Sequence, residues 1–250
     1  MVLAHVVTFG LVIGSFLNVV IARLPERRSL WRPGSACPGC GNPIAWYDNV
    51  PVLSFLVLGG RCRACAAPIS WRYPLVEALT AALFALAWLV FGGNLVDFVS
   101  AAALLAALVA ISVIDLRYQI IPDAITLPGI PAGVLASLAS HRVSWLESVA
   151  GILLGAGLFV AVIVLSRGGM GGGDLKLGAM LGAFLGWQAL IVALFVAIVL
   201  GGASALVLLA SGRLARKDAI PFGPFLALGG AVALFWGDAI VAWYLGGFER

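Results

Sequence analysis

The sequence predicts an all-α polytopic membrane protein, with about eight transmembrane helices and a small zinc-ribbon-like domain after the first. Three observations carry that prediction. The 250 residues are 62% hydrophobic and only 10% charged, with a mean hydropathy of +1.10; a soluble domain of that length carries far more charge. Uncharged apolar runs of about twenty residues recur along the chain, each long enough to cross a hydrocarbon core of about 30 Å. The four cysteines gather in one Arg-rich interruption of this pattern. Barrel strands would alternate over about ten residues, whereas these runs stay apolar throughout.

Taken in order, residues 2–22 form the first helix. It is too long for the apolar core of a cleaved signal and has no basic start, so it reads as a retained span. Asn18 lies within it, in Gly14-Ser15-Phe16-Leu17-Asn18. A polar residue there either hydrogen-bonds a neighbouring helix or belongs to a site. Residues 23–72 form the soluble domain and residues 73–250 a seven-helix membrane domain. Helices are expected at 73–91, with Glu77 one turn in, and at 96–114, uncharged up to Asp115. The next, at 123–140, restarts at Ile121-Pro122-Asp123, where Asp123 reads mainly as a helix N-cap. Then come 148–165, a short helix at 175–186, 188–210, and a last helix opened by Pro221-Phe222-Gly223-Pro224. Asp97 and Asp238 are expected at the far helix ends, in contact with water. Gly151, Gly155 and Gly157 are candidates for close helix approach.

The soluble domain carries Cys37-Pro-Gly-Cys40 and Cys62-Arg-Ala-Cys65, with 21 residues between the pairs. Each CxxC turn lets two thiolates converge, and two such pairs suit a closed tetrahedral zinc site. So short a segment makes a poor core alone, so the metal would supply much of its folding energy. Redox pairs or buried thiols are the alternatives. No histidine lies near enough to add a ligand, which argues for a structural zinc.

Residues 23–72 also hold seven arginines against Glu26 and Asp48, a net charge of +5 in a chain whose total is +4. The positive-inside rule places this segment in the cytoplasm. Beside membrane spans, these arginines fit anionic lipid head groups rather than nucleic acid. Eight crossings put the basic loop of Arg213, Arg216 and Lys217 inside. They leave His141, Arg142 and Arg250 outside.

The sharpest feature is the loop at 168–176, Gly-Gly-Met-Gly-Gly-Gly-Asp-Leu-Lys, with five glycines and Asp174 between two spans. An ionisable group at a membrane boundary is a functional candidate. The same crossing count brings Asp115 to the same face. Two carboxylates held close there cannot both ionise cheaply and would hold one proton between them. That suits a peptidase, in which the ionised carboxylate takes a proton from water and the protonated one polarises the scissile carbonyl. Gly171 and Gly173 give the loop room for a substrate backbone, and Lys176 marks it as cytoplasmic. Structural alternatives are an Asp115–Arg117 pair and Asp174 as a helix N-cap. No GxxxxGK[ST] is present, so the glycines are not a nucleotide cradle.

Over nearly its whole length the chain resembles the bacterial type IV prepilin peptidases, membrane aspartyl proteases of the GxGD kind. The resemblance is carried by Gly14-Ser15-Phe16-Leu17-Asn18-Val19, both CxxC pairs, Tyr47-Asp48-Asn49-Val50-Pro51 and Tyr73-Pro74-Leu75-Val76-Glu77. It continues through Asp115 with Ile121-Pro122-Asp123, Gly171-Gly172-Gly173-Asp174-Leu175-Lys176 and Pro221-Phe222-Gly223-Pro224. It implies removal of a short basic leader from prepilins or pseudopilins after a glycine, with Asp115 and Asp174 as the catalytic pair. It also implies N-methylation of the new N-terminus with S-adenosylmethionine, whose binding residues no motif identifies. A basic leader followed by an apolar helix would put the scissile bond at the inner face of the bacterial cytoplasmic membrane. The rival expectation is a proton-coupled transporter using the same two aspartates as relay groups.

Overall fold

A computed structural model of the chain describes residues 1–140, 142–166, 171–212 and 220–246. Expectations that fall on His141, Gly168, Gly169, Met170, Arg213, Arg216, Lys217 and Arg250 lie outside the described residues.

The helices are α1 (Val2–Arg23), α2 (Leu53–Val57), α3 (Arg72–Phe91), α4 (Leu95–Tyr118), α5 (Asp123–Ala139), α6 (Trp145–Leu165), α7 (Gly172–Ala210) and α8 (Gly223–Gly246). Six of them are long and apolar enough to cross a membrane, and α5 is a shorter apolar helix. All eight expected apolar segments are helical, but two run on as α7. Their joint is Gly186, at φ 73° and ψ 171°, a conformation essentially reserved for glycine. Leu153, Leu165, Phe195, Leu206 and Trp243 point their large apolar side chains outward, as expected where the surroundings are lipid and not water.

The chain divides into two compact units, Met1–Leu89 and Val90–Arg250. In the first, α1 and α3 cross backbone to backbone. A Cβ on Gly10 would lie 2.7 Å from Ala81 Cα, and one on Gly14 would lie 2.6 Å from Glu77 Cα. Small residues four apart permit such an approach where no water drives helices together. Between the helices runs the ribbon, built of turns, a 3-10 helix at Trp46–Asn49 and the short α2.

In the second unit α7 packs against α5, α6 and α8. Gly151 and Gly155 of α6 meet Gly182 and Gly178 of α7 so closely that a Cβ on any of the four would strike the facing helix. The buried Ser148 hydroxyl donates to the Ala183 carbonyl at 2.8 Å and holds the same seam. Gly157 faces open space, so it takes no part in the close approach expected of it. Gly133 of α5 rests on Ala183, while Gly229 and Gly237 of α8 rest on Ala193 and Ala189. Leu104, Leu105, Ile111, Ile114, Leu181 and Leu226 are fully buried.

Candidate active site

Asp115 occupies the last turn of α4, which runs uncharged from Asp97 and ends at Gln119 in the left-handed region, φ 53°. It is buried, and its Oδ2 accepts the backbone N–H of Gly223 at 2.9 Å. Gly223 opens α8, where the first N–H groups have no partner within the helix. Glycine is required there: a Cβ would stand 2.6 Å from Asp115 Oδ2. Arg117 lies over the Tyr118 ring at 5.5 Å.

Asp174 is the third residue of α7, and Gly171 holds the N-cap position. The Asp174 N–H donates to the Gly171 carbonyl at 3.2 Å, and a Cβ on Gly171 would stand 3.6 Å from Asp174 Oδ2, so the carboxylate turns back toward the Gly171 backbone. Thus Asp174 does take part in starting the helix, from inside it and not as the cap residue. It is only half-buried. Asp115 and Asp174 lie within electrostatic reach of each other.

Two contacts fix the start of α7 against the connection that follows Asp115. Gly173 abuts Ile121, where a Cβ would come within 2.9 Å of the isoleucine Cβ. Lys176 Nζ donates to both carboxylate oxygens of Asp123 at 2.7 Å. Asp123 is therefore the first residue of α5 and an ion-pair partner; the N-cap position belongs to Pro122. The sequence marked Gly171, Gly173, Asp174 and Lys176 as one loop but gave Gly223 no role at the carboxylates. The Pro-Phe-Gly-Pro motif was its only signal.

At the four cysteines the ligand sulfurs of Cys37, Cys40, Cys62 and Cys65 all lie within 4.8 Å of one another. The Cys37 and Cys65 sulfurs are 3.8 Å apart, which is the edge, about 3.8 Å, of a tetrahedron with Zn–S bonds of 2.3 Å. The two knuckles are built alike. In the first, Cys37 N–H donates to Asn42 O, Gly41 N–H to Cys37 O and Ile44 N–H to Ser35 O. In the second, Cys62 N–H donates to Ala67 O, Ala66 N–H to Cys62 O and Ile69 N–H to Gly60 O. Within this thiol cluster the N–H groups of Cys40 and Gly39 draw the Cys37 thiol down to about 7, while the neighbouring Cys40 thiol and burial push Cys65 up to about 12, so the first proton leaves most easily from Cys37. Arg63, inside the second knuckle, pairs in two-pronged fashion with Asp48 at 2.7 and 2.8 Å and holds that carboxyl below its usual range. The four sulfurs could hold a metal ion.

Elsewhere, Asn18 donates to the Tyr73 carbonyl at 3.1 Å and so bridges α1 and α3. Asp238 is exposed as expected and pairs with Arg142 at 3.2 Å. Asp97 is not solvated: it is buried and accepts the Ser140 hydroxyl at 2.6 Å. Its place near a helix start suggested water, but the end of α5 covers it.

A multi-pass helical chain with two carboxylates within electrostatic reach of each other at a helix end and a helix start, plus a four-thiol ribbon, has the make-up expected of a membrane peptidase. The chain belongs to the type IV leader peptidase family. Residues 102–206 match that family's profile and residues 8–91 match the bacterial peptidase A24 N-terminal domain. Proteins similar to it include the prepilin leader peptidase/N-methyltransferase of Burkholderia pseudomallei (strain 1026b), 42% identical over 95% of this chain and 86% of that one. The Aeromonas hydrophila protein of the same name is 42% identical over 96% and 92%. The one from Bacillus subtilis (strain 168) is 36% identical over 95% of each. No solved structure matches the chain. These similarities give no support to the transporter expectation.

Proposed function

We propose that this protein cleaves the basic leader from type IV prepilins or pseudopilins after a glycine, and then N-methylates the new N-terminus. The observation that carries the peptidase reading is that Asp115, held by the Gly223 N–H, lies within electrostatic reach of Asp174 at the start of α7, in a chain of this family. The pair shares one proton. Its ionised member takes a proton from water, which attacks the scissile carbonyl. Its protonated member donates to the carbonyl oxygen. As the intermediate collapses, the proton taken from water passes to the leaving amine. Gly171 and Gly173 leave the extended cleavage segment room to lie along the start of α7. The Lys176–Asp123 pair keeps that start in register with Asp115.

The substrate chemistry suits this position. A basic leader stays in water while the following apolar helix enters through lipid, so the bond between them lies at the interface. The arginines of residues 23–72 orient that interface toward the cytoplasm of the inner membrane. Cys37, Cys40, Cys62 and Cys65 would hold a structural zinc that stabilises the ribbon. S-adenosylmethionine would supply the methyl group. The test uses the purified protein in lipid with a synthetic prepilin, read by mass spectrometry. Loss of the leader after glycine supports the peptidase, and gain of one methyl with the donor present supports the transferase. An intact prepilin would overturn the first and an unmethylated product the second.

A further inference from the structure

The paired aspartates account for cleavage and leave methyl transfer without residues. Among the described residues, Asp97 and Glu77 are buried carboxylates outside the aspartate pair that form no ion pair, and only Glu77 lies in the N-terminal unit. Glu77 is 7% exposed and sits where α1 and α3 cross. Its Oε2 accepts the Val52 N–H at 2.7 Å, and Ser15 lies close enough to act on its charge. Arg72, five residues earlier, lies over the Tyr73 ring at 5.0 Å with its Nε buried and without a partner, and among the described residues it forms no ion pair with Glu77. Beside Ser15 on the same face of α1, Asn18 is 3% exposed; its amide nitrogen is used by the Tyr73 and Gly14 carbonyls, and its Oδ1 is buried with no partner. Val52 delivers its N–H from φ 61°, a costly conformation for a β-branched residue and one that clusters at functional sites.

The count of acceptors points to a cation. A carboxylate offers about four lone-pair directions and an amide oxygen two, and among the described residues few donors reach Glu77: the Val52 N–H at 2.7 Å, with Ser15 beside it. An unmatched buried carboxylate with an orphaned amide oxygen nearby favours a compact donor-rich cation, since burying a charge without a partner is expensive. An α-ammonium brings three N–H donors and a positive charge. Lipid-facing Phe16, Leu75 and Leu79 flank the crossing, so an apolar helix could lie alongside with its N-terminus at Glu77.

We infer that Ser15, Asn18 and Glu77 bind the free α-ammonium of the processed pilin and that Glu77 prepares it for methylation. This rests on the methyl-transfer half of the proposed function. Glu77 carboxylate takes one proton from the ammonium, leaving a neutral amine. The amine nitrogen attacks the methyl carbon of the sulfonium donor, the carbon–sulfur bond breaks, and its electron pair stays on sulfur. The positive charge thereby moves from sulfur to the methylated nitrogen, and Glu77 releases its proton to water. These residues lie within residues 8–91, the stretch matching the A24 N-terminal domain, apart from the segment that carries Asp115 and Asp174.

The test uses Glu77→Gln, which keeps an oxygen for the Val52 N–H and removes the charge, in full-length protein in lipid nanodiscs. Cleavage and methylation are read on the same prepilin sample. Methylation should fall about 100-fold further than cleavage, the scale of losing a general base, with partial recovery in Glu77→Asp. An activity-free readout compares binding of mature pilin peptides with a free and an acetylated N-terminus in an Asp174→Asn background. The free amine should bind about tenfold tighter, about 1.4 kcal/mol, and Glu77→Gln should erase the difference. An unchanged methylation-to-cleavage ratio, or equal loss of both activities, overturns the inference; so does equal binding of the two peptides before any change at Glu77. That last comparison decides the matter even if Glu77→Gln does not assemble. Failure of the unaltered protein to methylate would instead remove the transferase reading, while failure to cleave would remove the peptidase reading.

Discussion

Gly223 donates its backbone N–H to Asp115 Oδ2 across 2.9 Å, joining residues 108 positions apart. The bond seats the Asp115 carboxylate on the first turn of α8 and leaves no space for a side chain at Gly223. Gly223→Ala should therefore displace Asp115 without unfolding the helices. Leader cleavage should drop at least about 30-fold, about 2 kcal/mol of transition-state stabilisation, with KM little altered. Steady-state kinetics on a prepilin peptide check this, and unchanged kcat would show that the contact does not matter to the chemistry.

Lys176 and Asp123 are partly exposed, at 34% and 54% of their side-chain surface. Solvent screens such a pair, so its removal should cost below about 1 kcal/mol. Lys176→Met should slow cleavage only a few-fold, about two to five, and added salt should weaken the unaltered protein in the same direction. Exchanging the charges, Asp123→Lys with Lys176→Asp, should recover part of the loss in a double-mutant cycle. Complete inactivity of Lys176→Met would instead put the ammonium in the reaction itself.

The ribbon should bind about one zinc per chain, measured by metal analysis. Cys37→Ser with Cys40→Ser should abolish that zinc and lower the thermal midpoint of the ribbon. Ala66 holds φ 56° at the position where Gly41 holds φ 71° in the other knuckle. Ala66→Gly should relieve that strain and stabilise the ribbon by about 1 kcal/mol.

Along α6, a Cβ on Gly155 would strike the Gly178 carbonyl, while one on Gly157 would enter open space. Gly155→Ala should force α6 and α7 apart and destabilise the bundle by about 1–3 kcal/mol. Gly157→Ala should be neutral or stabilise by up to about 1 kcal/mol, from helix propensity alone. Thermal unfolding in detergent compares them, and equal effects would contradict the seam.

The helical spans were legible because apolar runs of membrane length leave few other readings, and even the break at Gly186 falls where the sequence separates two helices. Asp115, Asp174 and the cysteines were legible as residue types that are costly in lipid or patterned for a metal. What escaped is contact across long separations. Spacing along the chain gives no sign that Gly223 donates to Asp115, that Lys176 neutralises Asp123, or that the Val52 N–H reaches Glu77. Asp97 was misjudged for the same reason: the hydroxyl that satisfies it comes from Ser140, 43 residues later. Gly157 shares its residue type with Gly151 and Gly155, but helical rotation turns it away from α7.

The central claim is that Asp115 and Asp174 act as one catalytic pair. Leader cleavage by Asp115→Asn and by Asp174→Asn, each in full-length protein that still inserts and binds metal, tests it most directly. Each variant should fall at least about 1,000-fold, because residues that act as a unit fail together. Near-normal cleavage by either one would contradict the pair.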